Sequence, residues 1–225
     1  MAWEISFLRW VVEKTQTPII TFLFKYLTLA GEMAVIFFII AFIMIGFKKT
    51  RKAGLIIVFG LILVSGFNLW IFKPLVNRPR PFDVPEFSVD ASWLNNYMYN
   101  IFAPQSKLND FLVPGSKAFM SGHTLSSFIF GFTILIHHRK WAAPALIFSA
   151  IMSYTRIYFG FHYPTDVFSG IVTALATVLL FTWLANKYED WFVKVWRKFI
   201  GLFKKKAKKE APADDTEPEQ KEEAL

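Results

Sequence analysis

Thr155-Arg156-Ile157-Tyr158-Phe159-Gly160-Phe161-His162-Tyr163-Pro164-Thr165-Asp166 is the stretch around which the chain is organised. Apolar runs flank it, one beginning at Trp141 and the other covering Val167 to Ala185. Pro164 suits the first position of a helix, where a missing N–H costs nothing. That helix carries Asp166 in its first turn, with His162 just outside and within reach of the carboxylate. A carboxylate so placed can fix an imidazole's tautomer and raise its nucleophilicity. Arg156, at the end of the preceding run, can aim a planar cation at the same spot. A His-x-x-x-Asp alone is more often a plain helix-surface hydrogen bond, so the rest of the chain must decide.

The rest of the chain is apolar. Of 225 residues 54% are hydrophobic and 18% aromatic, including 26 Phe, and the mean hydropathy is +0.38. Several runs approach the ~20 residues that cross a bilayer. Glu32–Phe47, Leu55–Phe72, His123–Ile136, Trp141–Tyr158 and Asp166–Ala185 read as spans. The fold class expected is all-α, a polytopic membrane helix bundle. It has five clear spans, and residues 1–29 supply a sixth if they cross. Arg9, Glu13, Lys14 and Pro18 interrupt that first segment, which predicts a tilted or broken helix or an interfacial one, and not a cleavable signal peptide. With no cysteine there is no disulfide, thiolate metal site or cysteine nucleophile.

Net charge is +8. Its placement speaks for membrane surfaces and against nucleic acid, because Lys48–Lys52, Arg139-Lys140 and Lys204–Lys209 all flank apolar runs. These read as cytoplasmic segments in contact with anionic headgroups. Residues 1–188 form the membrane domain. Within it, 74–120 is an extracytoplasmic loop with a short amphipathic helix. Residues 189–209 form a basic amphipathic interfacial helix, and the Glu- and Pro-rich 210–225 a disordered cytoplasmic tail.

Alternating spans carry a consequence for chemistry. If the basic loops are inside, then Lys73, Arg80, Ser121, His123, Arg156 and His162 all fall at the outer ends of their spans. Lys73, Arg80 and Arg156 are the cations a phosphate dianion and its transition state require. Ser121 can cap the helix starting near His123, and Gly122, lacking Cβ, lets backbone amides approach an anion. The carboxylates are too few for a two-metal site and the histidines are not set as metal ligands, so no metal or cofactor is expected. His137 and His138 lie at the other face and read as loop residues. Tyr154 and Tyr158 read as packing aromatics, Ser65 and Asn68 as interhelical hydrogen-bonders, and Glu32 as a helix-end charge. Arg78 is as well placed for a headgroup as for the site.

Three ordered clusters, Lys73 to Pro81 with its Arg80-Pro81, Ser121-Gly122-His123, and Arg156 with Gly160-x-His162-x-x-x-Asp166, resemble the signature of the type-2 phosphatidic acid phosphatase superfamily. Met120 and Thr155 stand where that pattern has Pro and Ser. The resemblance covers roughly residues 30 to 185, and length and span order are most similar to the bacterial phosphatidylglycerophosphatase B branch. It implies catalysis by His162, His123 and Asp166. His162 is the nucleophile forming a phosphohistidine, Asp166 orients it, and His123 is the general acid and then base. Residue types alone permit the two histidines to exchange roles. Lys73, Arg80, Ser121, Gly122 and Arg156 bind the phosphate. The implied substrate is a lipid phosphate in a bacterial cell membrane, phosphatidylglycerol phosphate first and undecaprenyl pyrophosphate as the alternative. A lipid transporter or scramblase with a non-catalytic anion site is the competing class.

Overall fold

The computed structural model describes residues 2–30, 34–81, 84, 117–188 and 201. Among these every regular element is helical. The helices are α1 (Ala2–Thr15), α2 (Pro18–Ala30), α3 (Val35–Gly46), α4 (Arg51–Phe67), α5 (Lys73–Val76), α6 (Gly122–His137), α7 (Ala142–Tyr158) and α8 (Pro164–Lys187). The chain divides into two compact units, 1–183 and 184–225, and the first carries α1 to α7 and most of α8. Glu32, the amphipathic helix expected within 74–120, the interfacial helix at 189–209 and the tail at 210–225 fall outside the described residues, apart from isolated positions.

The exterior of this unit differs from that of a water-soluble protein. Large apolar side chains cover its exterior, among them Ile19, Leu23, Phe42, Trp70, Val172 and Leu179. Hydroxyl side chains, including Thr21, Ser127, Thr133, Ser149 and Thr155, share the interior with apolar ones such as Phe37, Ile56, Leu125 and Ile129. Contiguous exposed apolar surface of this extent fits a hydrocarbon solvent, in which buried hydroxyls and small residues join helices. Ser149 Oγ donates to the Ser127 carbonyl across α6 and α7 at 2.7 Å. A Cβ at Gly131 would meet that same Oγ at 2.7 Å, and one at Gly54 would meet the Ala41 carbonyl at 2.6 Å. Glycine there sets how closely α6 approaches α7 and α4 approaches α3.

Among the described residues two helices are long and apolar enough to cross a membrane, the continuous Arg51–Val76 and Pro164–Lys187. Pro18–Thr28, Val35–Gly46 and Gly122–His137 are apolar but shorter. The first long helix exceeds its expected limits at both ends. Arg51 and Lys52, read as loop, lie in its first turn, where Arg51 Nε donates to the Ile45 carbonyl at 3.0 Å. At the other end the helix runs past Phe72 through Pro74. Proline removes an N–H and crowds the preceding turn. A π turn over Asn68–Phe72 absorbs this, with the Lys73 N–H reaching back to the Asn68 carbonyl. Asn77, in the left-handed conformation with φ 49°, then stops it.

The N-terminal segment is broken at Gln16-Thr17, just before Pro18. Both pieces are tied to α7. Gln16 Nε2 donates to the Tyr158 carbonyl at 2.8 Å, and Thr21 Oγ1 and the Tyr158 hydroxyl lie 2.6 Å apart. At 13 residues α2 is about 20 Å long, short of the ~30 Å hydrocarbon core. Arg156, expected to end its helix, lies two residues inside it, because α7 continues to Tyr158.

Candidate active site

The five residues before α6, 117–121, hold the site together. Asn68, at the π turn, makes a two-way bond with Met120: its Nδ2 donates to the Met120 carbonyl at 3.1 Å, and the Met120 N–H donates to its Oδ1 at 3.2 Å. Lys73 Nζ donates to the Lys117 carbonyl at 2.7 Å. The Ala118 N–H donates to the Arg78 carbonyl at 2.9 Å, and the Ser121 N–H to the Asp166 carbonyl at 3.3 Å. Residues 117–121 are thereby fixed to α4, α5 and α8 together. Met120 stands where the family pattern has Pro, and its N–H makes a bond that proline could not.

Ser121 caps α6. Its Oγ accepts from the Thr124 N–H at 3.4 Å and from the Thr124 hydroxyl at 2.9 Å. The helix therefore starts at Gly122, one residue before the expected His123. Among the described residues a Cβ at Gly122 would meet no heavy atom within 4 Å, so the helix N-terminus faces open space. That end favours negative charge.

His162 sits in the turn between α7 and α8 and is buried. Gly160, at φ 63°, makes the turn, and the Phe161 and His162 N–H groups both donate to the Arg156 carbonyl. The His162 Nδ1 lies 2.7 Å from the Ala118 carbonyl. A carbonyl only accepts, so Nδ1 carries the proton and Nε2 keeps its lone pair. The nearer oxygen of Asp166 is 3.8 Å from Nδ1, beyond hydrogen-bond range. Thus the Ala118 carbonyl, and not Asp166 as expected from spacing, fixes the tautomer. Asp166 instead accepts from the Tyr163 N–H at 2.9 Å and closes the start of its own helix.

The expected cations gather at these rings. Burial first, then the charges of Arg80, Lys73 and Arg156, push His162 well below the ordinary imidazole value, against the pull of the Ala118 bond. Arg156 and Arg80 also act on His123, as does the His162 ring, so both imidazoles share one electrostatic neighbourhood. The Arg156 guanidinium carbon lies 4.6 Å from the Phe161 ring centre. Thr28 of α2 acts on the His123 ring through its main chain, and its hydroxyl donates to Thr155 Oγ1 at 3.1 Å. Helix α2 therefore borders one histidine, as the Ala118 carbonyl holds the other.

Arg78 has a place that spacing left open. Its Nη1 donates to Asp166 Oδ1 at 2.8 Å and to Thr165 Oγ1 at 2.7 Å, while Nη2 bonds Glu4. Its guanidinium carbon stands 3.8 Å over the Tyr163 ring. Glu4, buried on α1, also accepts from the Thr165 hydroxyl at 2.6 Å. Sequence reasoning missed Glu4. The available signal was a carboxylate in the first turn of an otherwise apolar helix face. His137 and His138 lie at the far end of α6, which is about 24 Å long.

This chain belongs to the PAP2 superfamily, whose pattern matches residues 53–190. It is accordingly a phosphoric monoester hydrolase of the metal-independent kind, and relatives named as phosphatases agree. It is 26% identical over 161 residues to undecaprenyl-diphosphatase BcrC of Bacillus subtilis, covering 67% of this chain and 81% of that one. An undecaprenyl-diphosphatase of Sulfolobus acidocaldarius is 30% identical, covering 55% of this chain and 51% of that one. The lipid A 4'-phosphatase of Porphyromonas gingivalis is also 30% identical, covering 68% of this chain and 61% of that one. Two solved structures share the fold. The transmembrane PAP2 type phosphatidylglycerolphosphate phosphatase of Bacillus subtilis aligns at TM-score 0.59 with 17% identity, covering 83% of this chain and 86% of that one. LpxE of Aquifex aeolicus aligns at 0.56 with 20% identity, covering 79% and 93%. Glu4 and Thr28 lie outside the matched family region.

Proposed function

We propose that this protein removes the terminal phosphate of a membrane lipid through a phosphohistidine on His162. The observation carrying this is the Ala118 bond to Nδ1, which directs a neutral Nε2 lone pair outward among three cations. In the first step Nε2 attacks phosphorus while the bond to the leaving oxygen breaks. His123 gives that oxygen its proton. In the second step His123 takes a proton from water, the hydroxide attacks the phosphoryl group, and the phosphorus–nitrogen bond breaks to release inorganic phosphate. Lys73, Arg80, Arg156 and the α6 N-terminus stabilise the equatorial oxygens. Asp166, held by Arg78, offsets the positive charge of the phosphorylated ring.

The basic loops at Lys48–Lys52 and His137–Lys140 support a cytoplasmic location for the opposite end, and so an extracytoplasmic active site. A lipid whose tail stays in the bilayer then presents its phosphate at the outer headgroup level. Two substrates are carried forward. Span order and site motifs support phosphatidylglycerol phosphate. Sequence identity to proteins named undecaprenyl-diphosphatase supports undecaprenyl pyrophosphate. The testing experiment is phosphate release in detergent from both lipids, with wild type beside His162→Ala. Release from neither lipid by wild type, or equal release by both proteins, removes this reading. A transporter with a non-catalytic anion site would bind these lipids and leave their phosphates intact.

A further inference from the structure

A second cavity lies at the other end of the same unit. It has a volume of about 730 Å³, within the range of ~300–1,000 Å³ that small-molecule sites occupy. Its walls come from α3, α6 and α7. Phe37, Phe130 and Phe148 form one aromatic surface, with ring centres 5.4 and 6.0 Å from Phe37, and Ile40 faces them. Its rim is basic. Lys49 and Lys140 line it and are exposed, and His138 lines it with a buried Nε2 that has no hydrogen-bond partner. None of the residues that gather at His162 lines it.

An apolar trough open to hydrocarbon is filled by hydrocarbon. A rim of two ammonium groups and an unsatisfied imidazole adds a demand for an anion with acceptor oxygens. We propose that this cleft is a binding site for one anionic phospholipid of the inner leaflet. One acyl chain lies between α3, α6 and α7, and the phosphodiester is held by Lys49, Lys140 and His138. The site is separate from the phosphatase chemistry and does not depend on it. The lipid would add to the Phe37–Phe130 and Phe37–Phe148 ring contacts that already join α3 to α6 and α7.

The test is native mass spectrometry of the full-length protein in detergent, with phosphatidylglycerol or phosphatidylcholine added. Excess inorganic phosphate occupies the catalytic anion site. The wild type should retain one phosphatidylglycerol and release phosphatidylcholine. Lys49→Glu with Lys140→Glu should cut retention about tenfold, as loss of two charge-assisted contacts implies. Ile40→Trp, which narrows the trough, should also weaken it, whereas His162→Ala should not. Equal retention of the two lipids, or undiminished retention in the Lys49/Lys140 variant, overturns the proposal. So does loss of the lipid in His162→Ala. The lysines are exposed, so their exchange leaves the fold intact even where Ile40→Trp does not.

Discussion

Arg78 Nη1 donates to Asp166 Oδ1 at 2.8 Å, while the other arm of the same guanidinium reaches Glu4. One fork thus joins the first helix to the helix that follows the turn carrying His162. Both carboxylates are buried. Arg78→Ala leaves them uncompensated, and removing one partner of a buried ionic pair typically costs about 3–5 kcal/mol. Thermal unfolding in detergent should show a large drop for Arg78→Ala. Arg78→Lys should recover only part of it, because an ammonium cannot bridge as the fork does. Equal stability of Arg78→Ala and wild type would remove the bridge as a structural element.

A second prediction concerns pH. Burial and three neighbouring cations depress His162, so the folded state holds the ring neutral where an ordinary histidine, near ~6.5, is half protonated. Nitrogen NMR of labelled histidine should show a neutral, Nδ1-protonated His162 at that pH. The sign for stability follows: the depressed ring costs nothing above the unfolded value. As pH falls below it, stability is lost until the folded value is reached. Arg80→Gln should move the titration upward. A half-formed imidazolium at the ordinary value contradicts the proposed environment.

Asn68 supports the loop before α6, and both it and Met120 are buried. Asn68→Leu strands the Met120 N–H and carbonyl, and a buried unsatisfied group costs about 1–3 kcal/mol. The loop carrying the Ala118 carbonyl should loosen, lowering kcat more than it raises KM. A pure KM effect would show that the pair does not position the reacting groups. Met120→Pro, which restores the family residue, should retain more activity than Asn68→Leu, since its carbonyl still accepts from Asn68.

Chelation supplies a fourth prediction. Steady-state phosphate release should be unchanged by EDTA, because in the proposed mechanism histidine and fixed cations supply the nucleophile and the charge. Strong inhibition, reversed by a divalent ion, would require a metal in the mechanism.

Much of this site is visible in one dimension because its side chains stand at helix ends, where polarity breaks an apolar run. Lys73, Ser121, Arg156 and His162 are conspicuous for that reason, and alternation of spans assigns them to one face. The Ala118 carbonyl is a main-chain group that every residue carries, so no pattern distinguishes it. Glu4 and Arg78 are 74 positions apart, and their pairing depends on how α1 leans against α8. Pro74 signals a break by its chemistry. Only the π turn that begins at Asn68 shows how the helix passes it. The tautomer assigned to Asp166 by its four-residue spacing belongs to Ala118, because the carboxylate is already committed to Arg78 and Tyr163.

The phosphohistidine proposed on His162 is a covalent species, and trapping the phosphorylated protein is its decisive measurement. Wild type, given lipid labelled in its terminal phosphate and quenched in base within the first turnover, should carry label on His162 as an acid-labile, base-stable adduct mapped by mass spectrometry. His162→Ala should carry none. Label on any other residue, or turnover by His162→Ala at a rate near wild type, would contradict the account.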